Sequence, residues 1–297
     1  MFSNVPNSDK WSKVEPLLKG WSDDKKYIVY TEDFKYLLRV SDISLYNKRL
    51  EQFNLLKEVD KLELNTPKPI SFGKLNDNEA YMLLSYVEGK PAQEYILNVT
   101  DDEAYKLGID AGNILKKLHS IKVNIDESWY EKYKIKANKK IEAYLASSYK
   151  LDNSELILSY YKDNLQLMRN REYSLTHGDY HLGNMVVDNG KIGIIDFDKM
   201  KYSDSYDDFK PYYWSVSMNK YFEIGLIDGY FNNNIPDDFF KILKYYTAEV
   251  LISHLPWAVG FGDEEIKVAY EMADNIFKWY DNFKLDIPVW YKKVLYK

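Results

Sequence analysis

Two apolar runs flanking an Asn-Gly pair constrain this chain more than any other feature. They lie in residues 176–198, which read THGDYHLGNMVVDNGKIGIIDFD. Asn189 and Gly190 both accept positive φ, as a type I′ turn requires. Met185-Val186-Val187 and Ile192-Gly193-Ile194-Ile195 are short β-type runs on either side of it. The pattern predicts a hairpin that folds Asp196 back toward the loop carrying Asp179 and Asn184. Two carboxylates and one amide oxygen would then converge, a hard oxygen set suited to Mg²⁺.

The first 90 or so residues read as a small α+β lobe. Strands are expected at 27–30 and 36–40, joined by Thr31-Glu32-Asp33, and at 70–73 and 81–84. A helix is expected over 44–59, with Leu45, Phe53, Leu56 and Val59 near one face. Beyond Pro91 the pattern turns helical. Thr100-Asp101-Asp102-Glu103 is a capping-box signature, followed by Ala104, Leu107, Ala111, Ile114, Leu115 and Leu118 at helical spacing. Pro236-Asp237-Asp238 reads as a second helix start. The expected division is a lobe over 1–88, a connector at 85–89 and a larger lobe over 89–297.

With its order of groups, the chain resembles the aminoglycoside phosphotransferase and choline kinase-like family, small-molecule relatives of protein kinases. The H-G-D-x-x-x-x-N pattern is met by His177, Gly178, Asp179 and Asn184, and the later I-D-F/L pattern by Ile195, Asp196 and Phe197. The resemblance implies an α+β, bilobal protein-kinase-like fold, with a small β-rich N-terminal lobe and a larger, mostly helical C-terminal lobe. It implies that Asp179 orients the acceptor hydroxyl and accepts its proton. Asn184 and Asp196 would hold Mg²⁺ against the phosphates of ATP or GTP.

Other roles follow from the same resemblance. Arg39 stands where such kinases put a strand cation against the phosphates, a place that protein kinases fill with Lys. Its expected partner is Glu51 on the following helix, with Glu58 as second choice. No GxGxxG precedes Arg39; residues 20–26 occupy the place of the nucleotide-covering loop, with backbone amides near Ser22 as phosphate donors. The Ser85 carbonyl and the Val87 amide would meet adenine. His177 is expected to brace the loop, His119 to be structural, and Asp207 and Asp208 to support the loop. Asp198 and His181 have no assigned role.

Composition bounds the rest. At 45% hydrophobic and 29% charged residues the chain is that of an ordinary soluble globular protein. A net charge of −6 argues against non-specific nucleic-acid binding and mildly favours cationic ligands. No apolar run approaches the roughly 18 residues that cross a bilayer, so no membrane partner is expected. Zero cysteines exclude disulfides and thiolate chemistry and fit a cytoplasmic location. The expected partner is a small-molecule substrate, and the chain is expected as a monomer or weak dimer. Carboxylates and tryptophans after residue 210, among them Glu223, Asp228, Glu249, Trp214, Trp257 and Trp279, suggest a pocket for a cationic acceptor such as an aminoglycoside. Choline, sugars, homoserine and macrolides are alternative acceptors within the family. A nucleotide-binding pseudokinase module is the non-enzymatic alternative. A protein kinase is disfavoured, because no A-P-E segment follows Asp196.

Overall fold

β-branched and aromatic residues in the first part of the chain build an antiparallel sheet. Its strands are β1 (Lys13–Pro16), β2 (Lys25–Tyr30), β3 (Lys35–Asp42), β4 (Pro69–Lys74) and β5 (Glu79–Ser85), in the order β1-β2-β3-β5-β4. Alternation along a strand assigns the faces. Val29, Leu38, Val40, Tyr81 and Leu83 enter one core with Val5 and Leu75. Lys26, Arg39 and Met82, aligned in register across β2, β3 and β5, take the opposite face. Helix α1 (Tyr46–Asp60) buries Phe53, Leu56 and Val59, and also Arg49 and Gln52. Hydrophobic periodicity does not register those last two. They are buried because they have polar partners.

The computed structural model describes residues 2–18, 24–123 and 125–291, and they group into two units. The first is Met1–Ala92 with Asn184–Asp198; the second is Gln93–Gly183 with Lys199–Lys297. The hairpin, expected in the later lobe, thus counts with the first unit. Backbone pairing supplies the reason. Strand β8 (Met185–Asp188) pairs with both β9 (Lys191–Ile194) and β6 (Lys90–Pro91). Asn65 adds two bonds, accepting from the Ile194 amide at 3.0 Å and donating to the Ile192 carbonyl at 3.1 Å. Asn189 and Gly190 make the tip with φ of 48° and 73°, the predicted turn.

The second unit begins within α2 (Ala92–Tyr95) and is mainly helical: α3 (Asp101–Leu118), α4 (Trp129–Ala146), α5 (Ser154–Asp163), α6 (Tyr212–Met218), α7 (Lys220–Phe231), α8 (Phe239–Ala258) and α9 (Asp263–Trp279). Strands β7 (Tyr173–Thr176) and β10 (Lys201–Asp204) pair between them. Helix α3 opens with the predicted capping box of Thr100 and Glu103. Helix α8 starts at Phe239, with a turn over Pro236-Asp237-Asp238 before it. Helices α3 and α7 touch backbone to backbone. A methyl at Gly108 would lie 2.1 Å from the Phe222 carbonyl oxygen, and one at Gly225 would lie 2.1 Å from that of Tyr105. Only hydrogen fits there. Among the described residues no helix is long and apolar enough to cross a membrane.

Candidate functional site

In the first unit the hairpin sets its open end by backbone geometry. The Ile195 amide donates to the Asn184 carbonyl at 2.9 Å, one step beyond the Met185–Ile194 pair. Asn184 and Asp196 therefore flank the same end of the ladder. The chain then leaves through Asp196 at φ +62°, a left-handed conformation that Asp tolerates better than most residues. An amide oxygen and a carboxylate are hard donors of the kind Mg²⁺ takes, with phosphate and water oxygens completing its shell. A cation already stands there: the Lys26 ammonium lies 3.7 Å from Asp196 and 4.0 Å from Asp198. Burial pulls that ammonium below its ordinary value, and Asp196 pulls back. A positive stand-in beside these oxygens fits a cation site.

Arg39 is buried on β3, but Glu51 does not partner it. Glu51 is exposed on α1, and the fallback Glu58 is also exposed, bonded to Lys61. Arg39 instead meets Asp24 at 2.5 Å and Asp198 at 2.7 Å. Its other terminal nitrogen also faces Asp198. Arg49 takes the second oxygen of Asp24 at 2.6 Å and donates to Gln52 at 2.8 Å. Gln52 in turn donates to the Asp198 carbonyl at 2.6 Å. The helix face turned to Arg39 thus carries a cation and an amide. Glu51 lies one position before Gln52, about 100° away around the helix, which turns it to solvent.

Ser85 ends β5, where its hydroxyl accepts from the Lys68 amide at 2.8 Å. Among the described residues the Val87 amide donates to no backbone carbonyl. Ser22 lies outside the described residues.

In the second unit Asp179 follows β7 on the loop that opens with His177 and Gly178. Asp208 organises this loop from below. It accepts from the His177 amide at 2.7 Å and the Gly178 amide at 2.6 Å, and meets His119 Nε2 at 3.0 Å. Tyr230 holds the other ring nitrogen of His119 at 2.9 Å. Gly178, at φ +85°, passes so close to Lys199 that a Cβ would sit 2.3 Å from its carbonyl oxygen. His177 is fully buried, and its Nδ1 accepts from the Asp179 amide at 3.3 Å. Of the two expected loop supports, Asp208 touches the loop, whereas Asp207 pairs with Lys201 and Lys210.

A lysine and a histidine face the Asp179 carboxylate. Lys199 donates to it at 2.9 Å, and His181 Nε2 lies 3.7 Å away. His181 Nδ1 accepts from the Gly183 amide at 3.1 Å, which leaves the ring proton on Nε2, toward Asp179. Burial alone would raise the Asp179 carboxyl, but His181 and Lys199 outweigh it and hold it well below the usual range. Motif reading passed over Lys199, and only the β7–β10 pairing brings it to the loop.

The carboxylates expected to form a cationic pocket do not gather at one. Glu249 is buried under Lys136, Lys140 and Lys210. Asp228 takes the hydroxyls of Tyr105 and Tyr291, and Glu223 is buried. Trp279 packs on Tyr212 and Tyr213.

Comparison with known proteins bears on this arrangement. The sequence matches the phosphotransferase enzyme family over residues 13–231. No curated protein matches it. Solved structures share its fold at low identity. A GDP complex of a mutant aminoglycoside 2'-phosphotransferase-IIIa is 17% identical, covers 96% of this chain and 97% of its own, and has a TM-score of 0.66. A thermostable mutant of aminoglycoside phosphotransferase APH(4)-Ia, bound to AMP-PNP and hygromycin B, is 16% identical, with 91% and 95% covered and a TM-score of 0.65. Amicoumacin kinase with AMP-PNP, Ca²⁺ and its ligand is 15% identical, with 92% and 90% covered and a TM-score of 0.63.

Proposed function

This chain belongs to the phosphotransferase enzyme family, and from that premise we propose that it moves the γ-phosphate of ATP or GTP, with Mg²⁺, to a hydroxyl of a small molecule. The observation that carries the reading is the Asp179 carboxylate, kept ionised by Lys199 and His181. As an anion it accepts the acceptor's O–H hydrogen bond and aims the oxygen at phosphorus. It is a weak base, so the proton reaches it late, as the new P–O bond forms and the nucleoside diphosphate departs. That order suits a loose transition state, in which positioning and charge neutralisation dominate. Asn184 and Asp196 would hold Mg²⁺, which supplies charge neutralisation on the phosphates. The Val87 amide and Ser85 carbonyl would receive the base.

An aminoglycoside is the first candidate acceptor, supported by two of the structural neighbours, which are aminoglycoside phosphotransferases by name. One feature favours a second reading. A groove of about 550 Å³ in the second unit is lined by Lys132, Lys136, Lys139 and Lys140, with Pro256 and Trp257 as apolar wall. A polycation seated there would be repelled, whereas an acceptor with an anionic group and an apolar body would be held. That reading points to a metabolic kinase of an acidic alcohol.

Labelled nucleotide offered with a panel of aminoglycosides, choline, sugars and hydroxy acids separates the readings. Transfer to kanamycin-like compounds supports the first, and transfer confined to the acidic alcohols supports the second. Asp179→Ala should cut transfer by about 10³-fold or more, as expected when the group that positions the nucleophile is removed, while ATP affinity stays near the parent's. Parent-like turnover in that variant would end the role assigned to Asp179.

A further inference from the structure

We propose that Lys26, rather than Arg39, is the side chain of the first unit that takes up the charge of the nucleotide's phosphates, and that Arg39 is a positioning residue for the turn at 196–198. The inference rests on the phosphotransferase reading and deepens its nucleotide site.

Lys26 and Arg39 are direct partners across β2 and β3, so their side chains leave the same face of the sheet. Their electrostatic situations differ. Arg39 is only 6% exposed, and its terminal nitrogens are taken by Asp24 and Asp198. Arg49 covers the remaining oxygen of Asp24. Two guanidiniums and two carboxylates cancel. Its Nε has no partner but is buried, so to reach a phosphate the guanidinium would have to turn away from Asp24, whose side chain is 1% exposed. A buried carboxylate stripped of a partner is strongly destabilising. Arg39 is therefore committed.

Lys26 is not. Its ammonium stands 3.7 Å and 4.0 Å from Asp196 and Asp198, beyond the length of a good hydrogen bond. The nearer carboxylate is the one assigned to metal. A divalent cation at Asp196 would repel the ammonium, and a phosphate chain held by that cation offers it closer anionic oxygens. A lysine on a flexible stem can make this short move, whereas a clamped guanidinium cannot.

The clamp has its own task. Arg39 grips the Asp198 side chain while Gln52 grips its backbone carbonyl. Together they fix the turn that Asp196 enters at φ +62°. Arg39 thereby acts on the cation site through Asp198.

Equilibrium binding of ATP, ADP and adenosine, with Mg²⁺ and with EDTA, tests this on the parent, Lys26→Gln, Lys26→Arg and Arg39→Lys, alongside thermal unfolding. Lys26→Gln should weaken ATP and ADP by about tenfold or more, the worth of a charge-assisted bond, without changing adenosine affinity or Tm. Lys26→Arg should restore most of the loss. Arg39→Lys should lower Tm and raise the Mg²⁺ needed for half-maximal ATP binding. The proposal is overturned if Lys26→Gln binds ATP like the parent. It is also overturned if Arg39→Lys keeps its Tm yet loses affinity for ATP and ADP but not adenosine. Either result leaves the phosphotransferase reading intact, provided the parent transfers phosphate. A parent that binds no nucleotide sinks both.

Discussion

Each unit of this protein buries a cluster of charges, and the two differ in what they hold. In the first, Asp24 and Asp198 clamp Arg39 and Arg49. In the second, Glu249 takes Lys136, Lys140, Lys210 and the Tyr133 hydroxyl. Buried ion pairs contribute little net stability compared with an apolar core. Their value lies in the geometry they specify. The first cluster includes Asp198, two residues from the candidate metal ligand Asp196, so its geometry bears on chemistry. The second joins α4 to α8 and bears on helix packing. The same interaction borders a candidate cation site in one place and joins helices in the other.

The contrast is broken most directly by removing one anion from each cluster. Asp24→Ala should cost about 3–5 kcal/mol, because it leaves the buried Arg49 without an anion. Glu249→Ala should cost less, because Lys210 keeps Asp207 and Lys136 and Lys140 are part-exposed. Denaturant unfolding measures both. Turnover per folded molecule should separate them, falling at least tenfold for Asp24→Ala and staying near the parent's for Glu249→Ala. Equal turnover losses would dissolve the distinction.

A comparison of two carboxyls in the second unit sharpens it. For Glu249, burial raises the carboxyl, but Lys136, Lys210 and Lys140 outweigh it and hold it well below 4.5. Its stabilisation is present above that value and is lost as pH falls. Glu223 has no cation, and burial pushes it up to about 8, with Ser215 pulling slightly back. Its contribution is most favourable below 4.5 and declines as pH rises toward 8, by about 1.4 kcal/mol per pH unit in the steep part. Glu223→Gln should remove that alkaline decline and leave the acid limb. Unfolding free energies measured from pH 4 to 9 test this, and an unchanged slope would show that Glu223 ionises freely in the fold.

The smallest effect concerns apolar packing next to these charges. Gly225→Ala forces a methyl against the Tyr105 carbonyl and should cost about 1–3 kcal/mol by overpacking. Turnover should be kept, which would place α3–α7 with the architectural cluster. A large loss of turnover at unchanged stability would move it to the other side.

Local chemistry was legible where it is written in neighbouring residues. The Asn189-Gly190 turn, the Thr100 capping box and the strands near Tyr27, Tyr36 and Tyr81 all follow from contacts within a few positions. Strand β1 is not legible in the sequence, because Lys13-Val14-Glu15-Pro16 has almost no apolar pattern and depends on pairing with β2. Glu51 was a wrong partner for Arg39 because charge and order along the chain do not say which way a helix residue points. Tryptophans and carboxylates near the end suggest a pocket, but Glu249 meets lysines and Asp228 meets tyrosine hydroxyls instead.

The sequence by itself determined the family pattern and the hairpin, and it singled out Asp179, Asn184 and Asp196 as candidates, because motif spacing and turn chemistry act over short stretches of chain. Tertiary structure alone decided which charges meet. Asp24 joins Arg39 and Arg49, Lys199 reaches Asp179, and Lys26 stands beside Asp196 through strand register and helix rotation. Electrostatic energy depends on distance and burial, and neither can be counted along a sequence.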